Sequence, residues 1–166
     1  MFYPILAVPS IHGERMRGNE GEAAVLSALI RQKFDVLIPF GEGQPYDLVI
    51  DVSGELFLRV QCKTAWPVGG CLAFNPHTTD HGRGPRSYVG RADIFGVYFP
   101  PRRSVYLVPI AAVGISEGRL RLEPTRNKQR RRVRLAVDYE VERWTVDALC
   151  ELVRPTHPSH LRVEAS

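Results

Sequence analysis

The stretch PFGEGQPYDLVIDVSGELFLRVQCKTA, residues 39–65, decides the fold. It contains two apolar runs, YDLVIDV (46–52) and LFLRVQCKT (56–64), which have the length and composition of β-strands. Ser53-Gly54-Glu55 separates the runs with residues that are typical of a hairpin loop. VLIPF (36–40) predicts a further short strand before the turn GEGQP. We therefore expect neighbouring strands joined by tight turns.

Alternation along a strand sorts its side chains between the two faces of the sheet. In the second run, Leu56, Leu58, Val60 and Cys62 share one face, and Phe57, Arg59, Gln61 and Lys63 share the other. In the first run, Asp47 shares its face with Val49 and Asp51. Each of the two strands is therefore expected to carry polar groups on one face.

A helix is predicted over residues 19–34, after an irregular lead-in over residues 1–17. Asn19 is its candidate N-cap, and Glu22, three residues later, completes a pair that resembles a capping box. An apolar stripe follows at helical spacing, formed by Ala23, Leu26, Leu29, Ile30 and Phe34. Glu22 precedes Leu26 by four residues, so we expect it at the end of this inward stripe.

The rest of the chain alternates loops and short strands before a closing helix. Residues 66–90 are rich in glycine and proline and predict one long loop. DIFGVYF (93–99) and SVYLVPI (104–110) predict a hairpin, and RLRLEP and RRVRLAV predict two more strands. The helix near 145–153 has Thr145 as its cap candidate and Leu149, Leu152 and Val153 as its apolar side.

This order of elements predicts an α/β (α+β) core in which helices flank a mixed, mostly antiparallel sheet. A length of 166 residues suits one domain over 1–166, with residues 155–166 as a tail. No apolar run approaches the roughly 20 residues of a membrane span, and we read no signal peptide. Three scattered cysteines predict no disulfide framework, which favours a reducing, cytoplasmic location.

Basic residues are concentrated in two regions of a chain that carries a net charge of +4 and a pI of about 9.2. Polyanions such as DNA attract such clusters through their phosphates. The candidate DNA contacts are Arg83, Arg86 and Tyr88 in the 66–90 loop, and Arg126, Lys128, Arg130, Arg131 and Arg132 further on. A solvated charged face explains either cluster equally well.

Hydrolysis of a phosphodiester needs oxygen ligands for a divalent cation and a group that orients the attacking water. Asp47 offers a carboxylate from one strand, and Gln61 offers an amide oxygen from the next. The backbone carbonyl of Cys62 is a further candidate ligand, and Lys63 brings a cation near the water or the phosphate. Glu22 could complete the site through water.

Structural explanations stay open for several of these residues. Glu22 could act only in a helix cap, and Asp47 could be a turn residue after Pro45. Asp51 is a rival ligand, but its place beside the hairpin loop favours capping of the turn. Asp93 begins a strand, where a structural role is an alternative.

The order Glu22, Pro45-Tyr46-Asp47, Gln61-Cys62-Lys63 resembles the motifs of the PD-(D/E)XK nuclease superfamily. PFGEGQPYDLVID followed by RVQCKTA is similar to its small homing endonuclease branch, which group I introns encode. Later segments fit that branch too, so the resemblance covers roughly residues 18–140: Tyr88 with Asp93-Ile94-Phe95, Tyr106-Leu107-Val108-Pro109, Pro124-Thr125-Arg126-Asn127, and Asp138-Tyr139-Glu140.

The resemblance implies that Asp47 is the metal-binding aspartate, Lys63 the motif lysine and Glu22 the helix glutamate. Gln61 stands where most members carry Asp or Glu, although glutamine is known there in this branch. Asp47, Gln61 and the Cys62 carbonyl would hold Mg²⁺, with Mn²⁺ as an alternative. Lys63 would position the water, and Glu22 would tune the metal or its waters.

The sequence is thus interpreted as a metal-dependent endonuclease that cuts double-stranded DNA to 5′-phosphate and 3′-hydroxyl ends. Cutting two strands with one small site per chain favours a symmetric homodimer, and the branch also implies a homotetramer. In the cell it would lie on the nucleoid when bound to DNA. The alternatives are a junction-resolving or repair nuclease of the same fold, an inactive DNA-binding module, and an RNA-directed nuclease.

Overall fold

The computed structural model describes residues 11–41, 43–80, 84–114, 116–124 and 133–153. Two α-helices, α1 (Ile11–Arg31) and α2 (Val146–Val153), stand at either end of this part of the chain. Ten strands lie between them: β1 (Asp35–Leu37), β2 (Leu48–Asp51), β3 (Phe57–Thr64), β4 (Trp66–Val68), β5 (Cys71–Phe74), β6 (His77–Asp80), β7 (Gly84–Ser87), β8 (Ile94–Phe99), β9 (Ser104–Pro109) and β10 (Gly118–Arg121).

The main sheet has five strands in the order β1-β2-β3-β8-β9. Its neighbours run antiparallel, except that β3 and β8 run parallel. The turn at Ser53-Gly54-Glu55 makes β2 and β3 a hairpin, and Gly54 adopts a positive φ of 76° there. The backbone N–H of Gly54 donates to Asp51 Oδ1 (2.6 Å), so Asp51 caps the turn. The prediction of a mixed, mostly antiparallel sheet with flanking helices is confirmed.

Side chains on both faces of the main sheet are buried, which gives the fold three layers. On one face, residues of α1 and α2 such as Val25, Leu29 and Leu149 pack with Leu58 and Val60 of the sheet. On the other face, a second cluster joins the small sheet β10-β5-β4 to β8 and β9. Every residue of β8 is buried, as expected for an inner strand covered on both sides.

The first helix is longer than the predicted range of 19–34. It begins at Ile11, so residues 11–17 are helical rather than irregular, and Asn19 and Glu22 lie inside the helix rather than at its cap. The cap prediction was wrong because polar residues on an exposed helical face look like a helix start in the sequence. The buried face is also rotated from the predicted stripe: Gly21, Val25, Ala28 and Leu29 are buried, whereas Ala23 and Ile30 are exposed.

The end of α1 is fixed by a Schellman motif, which the sequence did not reveal. Lys33 adopts a left-handed conformation with φ 66°, and its N–H donates to the Ile30 carbonyl (3.0 Å). The Phe34 N–H donates to the Leu29 carbonyl (3.2 Å), and both of these side chains lie in the core. The chain then enters β1, which ends at Leu37 and is shorter than the predicted strand over 36–40.

The predicted long loop over 66–90 is instead built from four short strands. Gly69 and Gly70, with φ 53° and 73°, form the turn between β4 and β5, and β6 pairs with β7. The glycines and prolines that the structure describes in this segment therefore lie in short strands or beside them, and they are not a sign of missing structure. The predicted hairpin of β8 and β9 is confirmed, with a 3₁₀ turn over Pro100–Arg102 between them.

The C-terminal predictions are confirmed in part. RLRLEP contributes β10, which pairs with β5, but the described residues of RRVRLAV form one bridge, Arg121 to Leu135, and no strand. A 3₁₀ helix over Ala136–Tyr139 takes its place. Thr145 caps α2 as predicted, since its Oγ1 accepts from the Ala148 N–H (3.2 Å), and Leu149 is buried.

Several predictions concern residues outside the described ranges. These residues include the predicted tail over 155–166 and most of the predicted lead-in over 1–17. The single-domain organisation over 1–166 also includes such residues and stays a prediction. Among the described residues, no helix combines the length and apolarity required to cross a membrane.

Candidate active site

Asp47 and Gln61 lie close together at one end of the β2–β3 hairpin. Asp47 directly precedes β2, and the regular pairing of β2 with β3 ends where Leu48 faces Val60. The Asp47 N–H donates to the carbonyl of the same Val60 (2.9 Å), so the regular register does not continue past Leu48. This irregular strand end brings the Asp47 side chain next to Gln61 on β3.

The Asp47 carboxylate is held by two hydrogen bonds from β3. Its Oδ2 accepts from Gln61 Nε2 (2.6 Å) and from the backbone N–H of Cys62 (2.7 Å). Burial raises the pKa of Asp47, while the Cys62 N–H, the charge of Lys63 and the Gln61 amide act in the opposite direction. This half-buried carboxylate is thus oriented by its own sheet rather than left free in solvent.

Lys63 lies beside this pair and is anchored from the neighbouring small hairpin. Its Nζ donates to the His77 carbonyl (3.3 Å) and to the hydroxyl of Tyr88 (3.2 Å), and it lies 4.7 Å from the centre of the Tyr88 ring. Burial lowers the pKa of Lys63 to about 8, partly offset by Asp47. The ammonium group is therefore held by the His77 carbonyl and the Tyr88 hydroxyl, and it interacts electrostatically with the Asp47 carboxylate.

Glu22 reaches the site because α1 packs very closely against β3. A Cβ added at Gly21 would meet the Thr64 side chain, so the small residue at 21 permits this approach. Burial and the nearby charge of Asp47 both raise the pKa of Glu22. The helix glutamate and the strand aspartate therefore share one electrostatic environment at the end of β3.

The oxygen atoms at this site fit a divalent cation. Gln61 Nε2 donates both to Asp47 Oδ2 (2.6 Å) and to the Cys62 carbonyl (3.2 Å), so these two oxygens converge on one point. Rotation of the Gln61 amide would direct its own oxygen there, and hard cations prefer such oxygen ligands. The described residues contain no cluster of three or more His, Cys, Asp or Glu side chains, so the ligand set relies on amide and backbone oxygens.

An ion pair braces β3 next to the site. Arg59 and Asp93 form a bidentate pair, with Nη2 to Oδ1 at 2.8 Å and Nε to Oδ2 at 3.0 Å. The backbone N–H of Arg59 also donates to Asp93 Oδ2 (2.8 Å), and Arg59 Nη1 donates to the Gly90 carbonyl (3.1 Å). The structural alternative for Asp93 therefore agrees with the geometry.

The structure places the predicted site residues in two groups. Glu22, Asp47, Gln61, Cys62 and Lys63 come together at the end of β3. Of the predicted DNA contacts, Arg86 is exposed on β7, whereas Tyr88 is only 5% exposed and faces Lys63. Arg83, Arg126, Lys128, Arg130, Arg131 and Arg132 lie outside the described residues.

Sequence reasoning missed the groups that hold Lys63. The His77 carbonyl is a backbone group, and no side-chain pattern marks it. Tyr88 was predicted for DNA contact as part of the 66–90 loop, but nothing in the sequence links its hydroxyl to Lys63 across 25 residues. Both contacts depend on the β6–β7 hairpin, which the sequence did not predict.

Fold and site together define a restriction-endonuclease-like nuclease core. The family model for PD-(D/E)XK endonucleases matches residues 12–142, so the chain belongs to this family. Among solved structures, the chain is similar to the bacterial homing endonuclease I-Ssp6803I, with 25% identity and a TM-score of 0.59. That match covers 82% of this chain and 91% of the other, and it supports the homing-endonuclease-like branch. Comparison with curated proteins finds no match.

Proposed function

We propose that this nuclease hydrolyses double-stranded DNA with a divalent cation, Mg²⁺ or Mn²⁺. The observation that carries the proposal is the convergence of Asp47, the Gln61 amide and the Cys62 carbonyl beside the anchored ammonium of Lys63. The similar bacterial protein is a homing endonuclease, which supports a DNA substrate. A carboxylate, two neutral oxygens and a fixed cation are the groups that phosphodiester hydrolysis requires.

Each residue has a distinct part in this proposal. Asp47 and the two neutral oxygens would hold the cation, which, when bound, neutralises charge on the phosphoryl oxygens. Lys63 is oriented by the His77 carbonyl and the Tyr88 hydroxyl, so its N–H groups can direct the attacking water or a phosphate oxygen. Glu22, whose pKa is raised, would accept hydrogen bonds from waters on the helix side of the site.

DNA binding and assembly are part of the proposal. Arg86 lies exposed on a hairpin whose base contacts Lys63, so this hairpin is well placed to follow the phosphate backbone. The arginines outside the described residues would add phosphate contacts. A two-fold homodimer, alone or paired into a homotetramer, would present two sites to the antiparallel strands of a duplex.

The test is cleavage of supercoiled plasmid and long genomic DNA with Mg²⁺ or Mn²⁺. Asp47→Ala and Lys63→Ala should each lose on the order of 100-fold or more in rate, as expected for groups that stabilise developing charge. Asp51→Ala is the matched control, because Asp51 lies at the other end of β2 and its side chain accepts from the Gly54 N–H in the hairpin turn. It should retain cleavage.

An inactive DNA-binding module is the second candidate, favoured by the neutral Gln61 at a position that usually carries a charge. Salt-dependent binding of DNA without cleavage of linear, supercoiled or four-way-junction DNA would establish it and contradict the enzyme. Cleavage of four-way junctions in preference to linear duplexes would instead identify a junction-resolving nuclease of the same fold.

A further inference from the structure

An apolar segment stands exposed directly after the edge strand β1. Phe40 is wholly exposed, and Ile38 before it is 64% exposed. Gly41 and Gly43, with φ 90° and 92°, turn the chain back toward Tyr46 and the active site. Large apolar side chains grouped in this way are unusual on a surface that meets only water, and they indicate a binding surface.

This segment forms one wall of the cleft that contains the catalytic carboxylates. The cleft has a volume of about 290 Å³ and is lined by Pro39 and Gly41, the two neighbours of Phe40, together with Glu22 and Asp47. The Phe40 turn therefore borders the cleft in which Asp47 lies, and DNA bound in that cleft would lie next to this turn.

We propose that Phe40 inserts between adjacent base pairs of the duplex next to the phosphodiester that is cut. A flat, apolar ring on an exposed turn can wedge into a base step, and the partly unstacked bases then stack on the ring. Ile38 and Pro39 would pack against the sugars on either side. This inference rests on the proposed DNA substrate and adds a contact to bases that distorts the duplex.

Insertion of Phe40 can be distinguished from phosphate contacts by its effect on DNA twist. Partial unstacking kinks and unwinds a duplex, whereas charge contacts alone leave its twist unchanged. A closed circular plasmid records unwinding as a change in linking number once a topoisomerase that needs no metal has relaxed it. EDTA in the reaction prevents metal-dependent cleavage during this measurement.

In this assay, the parent protein bound to plasmid should lower the linking number after relaxation. Phe40→Ala should abolish that change and weaken binding on the order of 10-fold, the effect expected from loss of one base–aromatic stack. The dependence of binding on salt should stay the same, because phosphate contacts are intact. Phe40→Trp should restore the change in linking number. Phe40 is fully exposed, so these substitutions remove no core packing.

Phe57→Ala is the matched control, an exposed phenylalanine that begins β3 at the far end from Gln61 and Lys63. It should behave as the parent. The inference is overturned if the parent binds plasmid without changing the linking number, or if Phe40→Ala and Phe57→Ala behave alike. A change of oligomeric mass in Phe40→Ala would also overturn it and assign the segment to an interface between copies. Absence of any DNA binding by the parent would contradict the proposed function itself.

Discussion

Tyr88 connects the core of the protein to Lys63. Its ring packs edge-on against Phe95 (5.7 Å between centroids), while its hydroxyl reaches Lys63 Nζ (3.2 Å). The side chain is therefore held both at its ring and at its hydroxyl. Burial raises the pKa of Tyr88, with a further contribution from Asp47, so the hydroxyl stays protonated at neutral pH.

Replacement of Tyr88 by phenylalanine should reduce kcat while leaving KM and thermal stability nearly unchanged. The ring contacts remain, but the Lys63 ammonium loses its hydrogen bond to the Tyr88 hydroxyl. Loss of one such bond should lower the rate about 10-fold. Steady-state cleavage and a melting curve would measure this. A raised KM with normal kcat would instead support the predicted contact of Tyr88 with DNA. Tyr88→Leu, the control for packing, should lower the Tm as well.

Substitution of two glycines of α1, Gly21 and Gly18, would test how closely this helix packs against β3. Gly21→Ala would place a Cβ against Thr64 and push α1, with Glu22, away from β3. Overpacking of this kind usually costs about 1–3 kcal/mol. Urea unfolding should show this loss, and cleavage should fall as well.

Gly18→Ala is the matched control in the same helix. Gly18 is exposed, and an added Cβ there meets nothing within 4 Å. Since alanine is the better helix former, Gly18→Ala should stabilise the fold by about 0.5–1 kcal/mol with normal activity. Equal stability of the two variants would contradict the close packing inferred for Gly21.

The Arg59–Asp93 pair ties β3 to the start of β8 and should make stability depend on acid pH. Burial alone would raise the pKa of Asp93, but hydrogen bonds and charge from Arg59 outweigh it and leave the pKa below its usual value. A lowered folded-state pKa means that the pair stabilises the fold above the unfolded pKa of about 3.9. That contribution is lost as the pH falls through the folded-state value.

Asp93→Asn should therefore have a lower Tm than the parent at pH 7, and the difference should shrink below about pH 4. Thermal unfolding followed by circular dichroism over this range would measure it. A difference that stays constant down to pH 2 would show that the charge of Asp93 does not stabilise the fold.

The elements that the sequence predicted well are those with strong local signals. Period-two alternation and a Ser-Gly-Glu turn predicted the β2–β3 hairpin, which brings Asp47 close to Gln61. The helix start failed because exposed polar residues such as Asn19 resemble a cap. The prediction of a loop over 66–90 failed because the strands there are only three or four residues long, too short to show a clear alternation in the sequence. One of them, β5, also pairs with the distant strand β10.

At the scale of the whole molecule, the proposed dimer predicts which products a mixture of parent and inactive chains makes from plasmid DNA. If two chains each cut one strand, parent protein mixed with an excess of Lys63→Ala should convert supercoiled plasmid to nicked circles. Parent protein alone should give linear DNA. Gel analysis of the products, with mass by light scattering, would measure this. Linear product from mixed samples, together with a monomeric mass, would contradict the dimer.

The parallel pairing of β3 with β8 has a consequence during synthesis, because β3 is made well before its partner strand. Lys63 leaves the ribosome well before Val97, its neighbour in the sheet, because residues 65–93 must be made between the two strands. During that interval the nascent chain has an unprotected strand edge that can pair with other chains, and such long-range pairing is slow to form. The same arrangement that places β3 inside the finished sheet thus leaves this strand open to unwanted pairing while the polypeptide is still growing.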